Sequence, residues 1–447
     1  MSNWNQLSPA EKRQARFNRW LSASGIKFVS PEAEKAYKAR LQRIIDSINL
    51  LKPDRIPCLL PAGQFPAYYA GINVYTAMYD YQAMKSAWLK FLYEFDGDVF
   101  SGPGTGSGLV NEILRVKSMK WPGHGLPKEA TMHQFVEDEY MKADEYDLLI
   151  KDPSDYCLRY YLPRTTGAFE PFQKLMPFRH ILGMPTSFLR NCMSEDVQQA
   201  FQTIIDSARE LSRYFEVVNE IRLEAQSIGF PGLMGGAQAH APFDIFADTL
   251  RGTRGITLDM HRQPEKLLEA MEAITPWIIE FALNYASGSP SPIVFFALHK
   301  GDDNFMSDKQ FTKFYWPQLK NVIMAIINEG YVPLLFAEGS YNRRLETICD
   351  LPTGSVIWWF DRTDMAKAKS YLQGKACIAG NVPTSLMCTG SPSAVKNYCR
   401  ALIETCGKDG GFILAGGASV DKGNPDNFRA MLAAAKEYGT FAGINSQ

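Results

Sequence analysis

Four apolar runs decide the fold of this chain: Ile293–His299 (IVFFALH), Val332–Glu338 (VPLLFAE), Ser355–Asp361 (SVIWWFD) and Lys375–Asn381 (KACIAGN). Each run has the length of a strand and is apolar at consecutive positions, as expected for a parallel strand buried on both faces. Helical patterns separate the runs. Each run ends on a polar or ionisable residue, and the C-terminal strand ends carry the chemistry in parallel barrels. We therefore expect His299, Glu338, Asp361 and Asn381 to converge on one pocket.

Further strands extend this order in both directions along the chain. The predicted strands are Arg55–Leu60, Asp98–Ser101, Phe230–Gly236, the four runs above and Gly411–Ala415. Eight strands with intervening helices predict an α/β fold of the (β/α)8 TIM-barrel type. An open doubly wound sheet is the alternative, but the sequence lacks the usual dinucleotide-binding fingerprint.

Two regions fall outside the regular strand–helix order. Residues 1–53 read as a helical extension before the barrel, which spans 54–447. A large insertion or cap region is expected over 104–229, after strand two, either as a lid or wall at the barrel mouth or as a packing appendage. The turn Gly102–Gly106 resembles a phosphate cradle but lacks the lysine and the spacing of a P-loop.

Helix signals are clearest in the second half of the chain. Helices are predicted over Pro264–Ser287, over Ser307–Glu329 with Ser307 as N-cap, and over Asp426–Tyr438. The pair Ser391-Pro392 predicts another helix, running to about Cys406, because serine caps a first turn that accommodates proline.

Bulk composition narrows the class of protein. The chain has 447 residues, 46% hydrophobic and 21% charged, with a net charge of −1. This balance indicates neither a nucleic-acid nor a membrane-surface partner. No apolar run approaches the roughly 20 residues that span a bilayer, and the N-terminus lacks a signal-peptide core, so a cytoplasmic location is expected. The 8 cysteines include no Cys-x-x-Cys pair and read as reduced core thiols.

A set of short motifs, in order along the chain from about Leu41, resembles the uroporphyrinogen decarboxylase superfamily, which also contains corrinoid-linked methyltransferases. The motifs are Lys52–Pro57, Ala237–Asp259 with Pro242-Phe243 and Leu250–Gly252, Gly301–Asp303, Gly380–Pro383, Gly411–Leu414 and Asn424–Phe428. The resemblance implies the barrel fold and, by analogy, a homodimer.

One departure from that superfamily disfavours tetrapyrrole decarboxylation. True uroporphyrinogen decarboxylases carry an arginine-rich segment after strand one that holds substrate carboxylates, whereas this chain reads Leu60–Phe65 (LPAGQF). They also place an aspartate after strand two, where this chain has Phe100-Ser101-Gly102. Buried carboxylates without cations are costly, so a substrate with eight of them fits poorly.

The methyltransferase branch fits better, again with departures. Members that serve coenzyme M bind zinc through a His-x-Cys-Gly motif and a later cysteine. Here the matching positions read Phe336–Gly339 (FAEG) and Ala418, so the zinc–thiol site is missing. Glu338 stands in the place of the first cysteine. An oxygen-rich zinc site formed by Glu338, His299 and Asp361 is therefore predicted, with a raised-pKa carboxylic acid as the metal-free alternative.

These features predict an enzyme that transfers a methyl group from a methoxylated compound, with an aromatic donor expected, to the cobalamin of a corrinoid partner protein. The catalytic residues would be Glu338, His299 and Asp361. The predicted substrate-binding residues are Asn381, His240, Tyr341, Trp359, Phe65 and Tyr68. Decarboxylation of a small or tetrapyrrole acid is the alternative reaction, and a non-catalytic barrel that binds a corrinoid protein is the alternative class.

Each predicted site residue could instead have a purely structural role. Glu338 could pair with Arg343 or Arg344, and Asp361 with Arg362. Asn381 could be only a turn residue, and His299 and His240 could be satisfied structural histidines. The aromatic residues could simply fill the barrel core, because alternate strand residues do so in any barrel.

Overall fold

The computed structural model describes residues 4–441 except 183 and 185. The strands are β1 (Cys58–Leu59), β2 (Met119–Pro122), β3 (Gly125–Leu126), β4 (Gln134–Phe135), β5 (Gln238–His240), β6 (Ile293–Leu298), β7 (Val332–Ala337), β8 (Ile357–Phe360), β9 (Cys377–Val382) and β10 (Phe412–Gly416). The apolar residues of β6 to β10 are almost all buried, as a sheet covered on both faces requires.

The larger sheet is the wall of a TIM-type barrel. Its strands pair in parallel in the order β1-β10-β9-β8-β7-β6-β5. Two short contacts close the ring between β1 and β5: Asp98 N donates to Cys58 O at 3.1 Å, and Phe100 bridges Gly232 in parallel. The predicted (β/α)8 fold is confirmed, with its second position reduced to a bridge.

The strands that differ most from prediction lie near this closure. The third strand is β5, Gln238–His240, and the predicted stretch Phe230–Gly236 contributes only the Gly232 bridge. That stretch contains one proline and three glycines. Proline has no backbone N–H to donate to a neighbouring strand, and glycine has no side chain to pack against the core. The strand was predicted in the wrong place because Phe230 and Leu233 are apolar. Both are buried, but they do not form a hydrogen-bonded strand.

Helices cover the outside of the barrel and form much of the chain before β5. The α-helices are Pro9–Leu21, Pro31–Ile48, Phe65–Tyr69, Val74–Tyr79, Tyr81–Glu94, Gly108–Leu114, Tyr146–Lys151, Pro153–Tyr156, Leu162–Thr165, Ser187–Cys192, Glu195–Ser227, Pro242–Asp244, Gly252–Arg262, Pro264–Ser287, Asp308–Gln310, Trp316–Asn328, Leu345–Ile348, Met365–Leu372, Thr384–Thr389, Pro392–Cys406 and Pro425–Tyr438. Shorter 3₁₀ turns are Trp4–Gln6, Gly167–Lys174 and Phe178–Ile181, and π-helical turns are Cys157–Tyr161, Ile245–Leu250 and Phe311–Tyr315. The predicted caps Ser307 and Ser391 both accept backbone N–H groups.

The two N-terminal helices close one end of the barrel. Phe17 and Trp20 of Pro9–Leu21 and Leu41 and Ile44 of Pro31–Ile48 are buried in one cluster with the barrel interior. The strand residues of this cluster include the first residues of β6, β7, β8 and β9, namely Ile293, Val332, Ile357 and Cys377. The N-terminal end of the barrel is thus filled by apolar packing.

Residues 104–229 contact the barrel at the turn that follows β5. Met141 N donates to Leu250 O at 2.7 Å, and Arg251 Nη1 donates to Met141 O at 2.5 Å. Thr253 N donates to Glu137 Oε1 at 2.6 Å. The division of the chain into extension, barrel and insertion stays a prediction. Among the described residues, no helix combines the length and apolarity needed to cross a membrane.

Candidate active site

His299 is the centre of the polar cluster at the open end of the barrel. It follows β6 directly, and its Nδ1 lies 2.6 Å from Asp248 Oδ2. Its Nε2 lies 3.5 Å from Glu338 Oε1, at the end of β7. Lys300 Nζ lies 3.2 Å from Asp248 Oδ1. The predicted convergence of His299 and Glu338 therefore occurs, with Asp248 as a third member.

A buried aspartate fixes the backbone beneath this cluster. Asp244 is 3% exposed and accepts the backbone N–H groups of His299 at 3.0 Å and Lys300 at 3.1 Å. The hydroxyl of Tyr315 donates to the same carboxylate at 2.8 Å. These three donors hold the end of β6 against the helix Pro242–Asp244, so the position of His299 is set by its backbone as well as its ring.

Asp248 reaches His299 because the chain after β5 forms a π-helical turn. Arg251 N donates to Phe246 O, five residues earlier, at 2.7 Å. Such turns within helices occur frequently at functional sites. Asp244 and Asp248 are four residues apart and both face the end of β6, one through the backbone and one through the imidazole.

The electrostatic environment separates the titrations of these groups. The hydrogen bond to Asp248, together with Glu338 and Asp244, raises the pKa of His299 to about 9 despite burial. Burial opposes the effect at Asp248, but the hydrogen bond from His299 and the charge of Lys300 lower the pKa of that carboxyl. Burial and the neighbouring Asp248 raise the pKa of Asp244 to about 7. At neutral pH His299 is therefore a cation held by an anion.

Glu338 lies between His299 and Asp361. Burial and the charges of Asp361 and Asp248 raise the pKa of Glu338, although His299 and Lys300 oppose this. Asp361 Oδ2 accepts the N–H of Gly339 at 3.0 Å and lies 3.5 Å from Arg362 Nε. The alternative pairing of Asp361 with Arg362 is thus present.

The alternative pairing of Glu338 is absent from the described structure. Arg343 and Arg344 instead form ion pairs with Asp308, and Arg344 also pairs with Asp303. Glu338 therefore keeps His299 as its ion-pair partner in the described residues.

Aromatic and polar side chains line the barrel interior below the cluster. Phe336 and Trp359 are partly exposed, with ring centroids 5.1 Å apart, and Trp359 Nε1 donates to Gly416 O at 2.7 Å. Phe295 lies beside Phe336, at 6.4 Å between centroids. His240 is exposed to the interior, where surrounding protein atoms and the charge of His299 lower the pKa of its imidazole. One histidine of the mouth is therefore cationic at neutral pH and the other neutral.

The remaining predicted residues occupy different positions. Asn381 is buried, donates from Nδ2 to Thr363 O at 2.7 Å, and borders a groove of about 650 Å³ shared with Asp361. Tyr341 and Phe65 are buried in the core, Phe65 stacked on Phe428 at 4.0 Å, which favours packing roles for both. Tyr68 is partly exposed on the strand-one side of the mouth.

The predicted zinc ligands do not assemble into a metal site. Residues 4–441, apart from 183 and 185, contain no group of three or more His, Cys, Asp or Glu side chains arranged to hold a metal ion. Both nitrogens of His299 face carboxylates, and Asp361 is engaged with Gly339. The donor set predicted for zinc is therefore not supported.

Three residues of the cluster escaped the sequence reasoning. Asp248 contacts the ring of His299 and Asp244 accepts its backbone N–H, from positions 51 and 55 residues upstream, and Tyr315, on the following helix, donates to Asp244. The spacing Asp-x-x-x-Asp just after β5 was the available signal, because it places two acids on one helix face. Nothing in the spacing indicates that this face meets the end of β6.

The comparisons with known proteins concern the family and the fold of this chain. The sequence profile described as uroporphyrinogen decarboxylase matches residues 189–438, which is more than half of the chain and includes every strand from β5 to β10. The chain belongs to the uroporphyrinogen decarboxylase family. The matched range contains His299, Glu338, Asp248 and Asp361, whereas the arginine-free segment Leu60–Phe65 lies before it.

Among solved structures, a methyltransferase from Methanosarcina mazei resembles this family member in fold. The TM-score is 0.59 at 14% sequence identity, over 90% of this chain and 98% of that chain. At this level of identity the likeness is one of fold. No curated protein sequence matched the chain.

Proposed function

We propose that this protein is a methyltransferase that moves a methyl group from a methoxylated aromatic compound to the corrinoid of a partner protein. The observation that carries the proposal is the cationic His299, held by Asp248 above an aromatic floor at the open end of the barrel. The fold shared with a methyltransferase supports it, as does family membership.

The reaction needs a proton for the leaving oxygen, because an unprotonated phenoxide leaves poorly. The reduced corrinoid of the partner would supply the nucleophile that takes the methyl group. As the oxygen–methyl bond breaks, its electron pair stays on oxygen and the proton from His299 Nε2 makes the phenol. General acids of this kind contribute roughly 10²–10⁴-fold to rates.

Two carboxylates give His299 the properties of a reusable acid. Asp248 fixes the ring through Nδ1 and keeps it protonated at neutral pH, leaving Nε2 directed toward Glu338. The side chain of Glu338 is 43% exposed, so it can pass a solvent proton back to Nε2 after each turnover. Its pKa, raised by burial, brings its titration closer to neutrality.

The floor of the mouth suits a flat donor. Phe336 and Trp359 present partly exposed rings on adjacent strands β7 and β8. Stacked aromatic pairs add about 0.5–1.5 kcal/mol beyond area burial. Side chains fill most of the interior of an eight-stranded TIM barrel, so a single-ring methoxyaromatic at the mouth is the expected size.

The test is direct methyl transfer with a surrogate acceptor. The purified protein would be incubated with 2-methoxyphenol and chemically reduced cob(I)alamin, following methylcobalamin by absorbance and catechol by chromatography. Equal amounts of both products are expected, with a His299→Gln variant at least about a hundredfold slower. Neither product from the wild-type protein with a series of methoxyaromatics would reject the proposal.

Decarboxylation remains the second candidate because of the family to which the chain belongs. It predicts CO₂ release from a small or tetrapyrrole acid without any corrinoid. A non-catalytic barrel predicts instead tight binding of a corrinoid protein with no turnover and no effect of Glu338→Gln on any rate. The cob(I)alamin assay, run beside a CO₂ assay, separates the three.

A further inference from the structure

A second polar cluster occupies the mouth on the wall formed by β1 and β10. Asp421 follows β10, and its Oδ1 accepts the N–H of Gln64, which follows β1, at 2.9 Å. A Cβ added at Gly63 would lie 2.7 Å from this Oδ1, so glycine permits the close approach of the two loops. The wall lies across the ring from β6 and β7, which carry His299 and Glu338.

This cluster consists mainly of hydrogen-bond acceptors. The carboxylate of Asp421 retains Oδ2 as a second acceptor after the contact with Gln64. Gln64 is 2% exposed, and its side-chain Oε1 is buried without a hydrogen-bond partner among the described residues. A buried acceptor without a donor is costly, so a ligand group that donates would be favoured there.

The insertion contributes to the same wall. His133, just before β4, is close enough to Asp421 for their charges to interact. His133 and Asp421 are both partly exposed, and partial burial raises the pKa of Asp421 and lowers that of His133. Burial and the charge of Asp421 raise the pKa of Tyr68, a predicted substrate residue four positions after Gln64.

We propose that Gln64 and Asp421 bind a hydroxyl group of the aromatic methyl donor, on the wall opposite the general acid. The assignment rests on the proposed function and names its substrate class: methoxyaromatics that also carry a phenolic hydroxyl. The hydroxyl donates to Asp421, the ring lies on Phe336 and Trp359, and the methoxy oxygen faces His299.

Calorimetric binding of two ligands tests the assignment without any methyl transfer. 4-Methoxyphenol carries the hydroxyl on the side of the ring opposite its methoxy group, and 1,4-dimethoxybenzene replaces that hydroxyl with a second ether. The wild-type protein is expected to bind the phenol about tenfold more tightly, the value of one hydrogen bond to a charged acceptor. Asp421→Asn should abolish most of this preference, because the amide turns a donor toward the ligand, which disfavours the phenol O–H and favours the ether oxygen of 1,4-dimethoxybenzene.

Two further variants keep the result interpretable. Gln64→Met preserves the length of the side chain and removes its acceptor, so it should reduce the preference by a smaller factor. Asp409→Asn, on the loop before β10 at the other barrel end, should retain it fully. Equal binding of both ligands by the wild-type protein, or full preference in Asp421→Asn, would overturn the assignment.

Separate outcomes distinguish this proposal from the function on which it rests. Methyl transfer from both donors at equal rates, with no binding preference, would remove the hydroxyl subsite and leave the methyltransferase intact. A tenfold binding preference that Asp421→Asn abolishes, with no methyl transfer from either donor, would support the subsite and reject the reaction.

Discussion

Acidic residues at the two ends of the barrel differ in their exposure and in the number of donors that contact them. At the N-terminal end, Asp98 is 0% exposed and receives Arg55 at 2.6 and 2.8 Å, Arg43 at 3.0 Å and the N–H of Cys58 at 2.7 Å. At the open end, Glu338 is 43% exposed in its side chain and has His299 at 3.5 Å. All the acceptor positions of Asp98 are thus surrounded by donors, whereas Glu338 can accept further hydrogen bonds.

This contrast distinguishes an acid that stabilises the fold from acids that could take part in acid–base chemistry. A buried carboxylate surrounded by guanidinium groups and an N–H has no room for substrate, so its role lies in folding. Near His299, burial and neighbouring charges raise the pKa values of Asp244 and Glu338, whereas against the effect of burial the hydrogen bond from His299 and the charge of Lys300 lower that of Asp248. Separated titrations of neighbouring groups are typical of acid–base sites.

The largest effect is expected at the N-terminal end of the barrel. Asp98→Asn leaves Arg43 and Arg55 without their shared counter-charge, which should lower the free energy of unfolding by about 3–5 kcal/mol. Urea denaturation followed by circular dichroism measures it. Glu338→Gln should change stability by less than about 1 kcal/mol, as is usual for a half-exposed pair. Equal losses in the two variants would contradict the contrast.

His299→Gln should reverse the order of effects. Methyl transfer should fall about a hundredfold, because the leaving oxygen loses its proton donor, while the loss of urea stability should be smaller than in Asp98→Asn, because the His299 side chain is 40% exposed. His261→Gln, an exposed histidine at the end of Gly252–Arg262, is the matched control and should keep full activity. An active His299→Gln enzyme would rule out this residue as the acid.

The pH dependence of the rate tests the pairing with Asp248. Because the pKa of His299 is raised to about 9, activity should fall as pH rises through about 9. The stabilisation from this pair should be complete below the unfolded histidine value of about 6.5 and should disappear over the same rise. Asp248→Asn should move the alkaline limb of the rate profile toward pH 7. If the alkaline limb does not move in Asp248→Asn, the group that titrates there is not His299.

The smallest effect is expected on the aromatic floor. Trp359→Leu removes one ring beneath the proposed donor and should weaken 2-methoxyphenol binding by about two- to tenfold. Phe281→Leu, on the exposed face of Pro264–Ser287, is the control and should leave binding unchanged. Isothermal calorimetry measures both, and an unchanged affinity in Trp359→Leu would place the ring elsewhere.

Much of the barrel was readable because long parallel strands leave an unambiguous pattern. The runs that became β6, β7, β8 and β9 are apolar throughout, and their helices carry caps such as Ser307 and Ser391. The short positions were misjudged: β5 is three residues long, and the segment around Phe100 forms only a bridge. Neighbouring strands of the barrel hold such short segments in place, so the amino-acid composition of the segments hardly identifies them as strands.

The candidate site was predicted in part. His299 and Glu338 do meet, because the ends of neighbouring parallel strands share one edge. Asp361 lies beside Glu338 but turns to Gly339, and Tyr341 points into the core. Direction of a side chain after a strand end depends on the loop that follows, which periodicity does not describe.

The amino-acid sequence alone determined the order of strands and helices, the apolar wall of the barrel and the polar residues that end its central strands. These follow from local patterns of apolar burial and capping. Tertiary structure decided that Asp248 and Asp244 meet His299 across 51 and 55 residues, and that Gln64 meets Asp421 across 357. The pKa of a group depends on burial and neighbouring charge, which exist only once distant segments have packed.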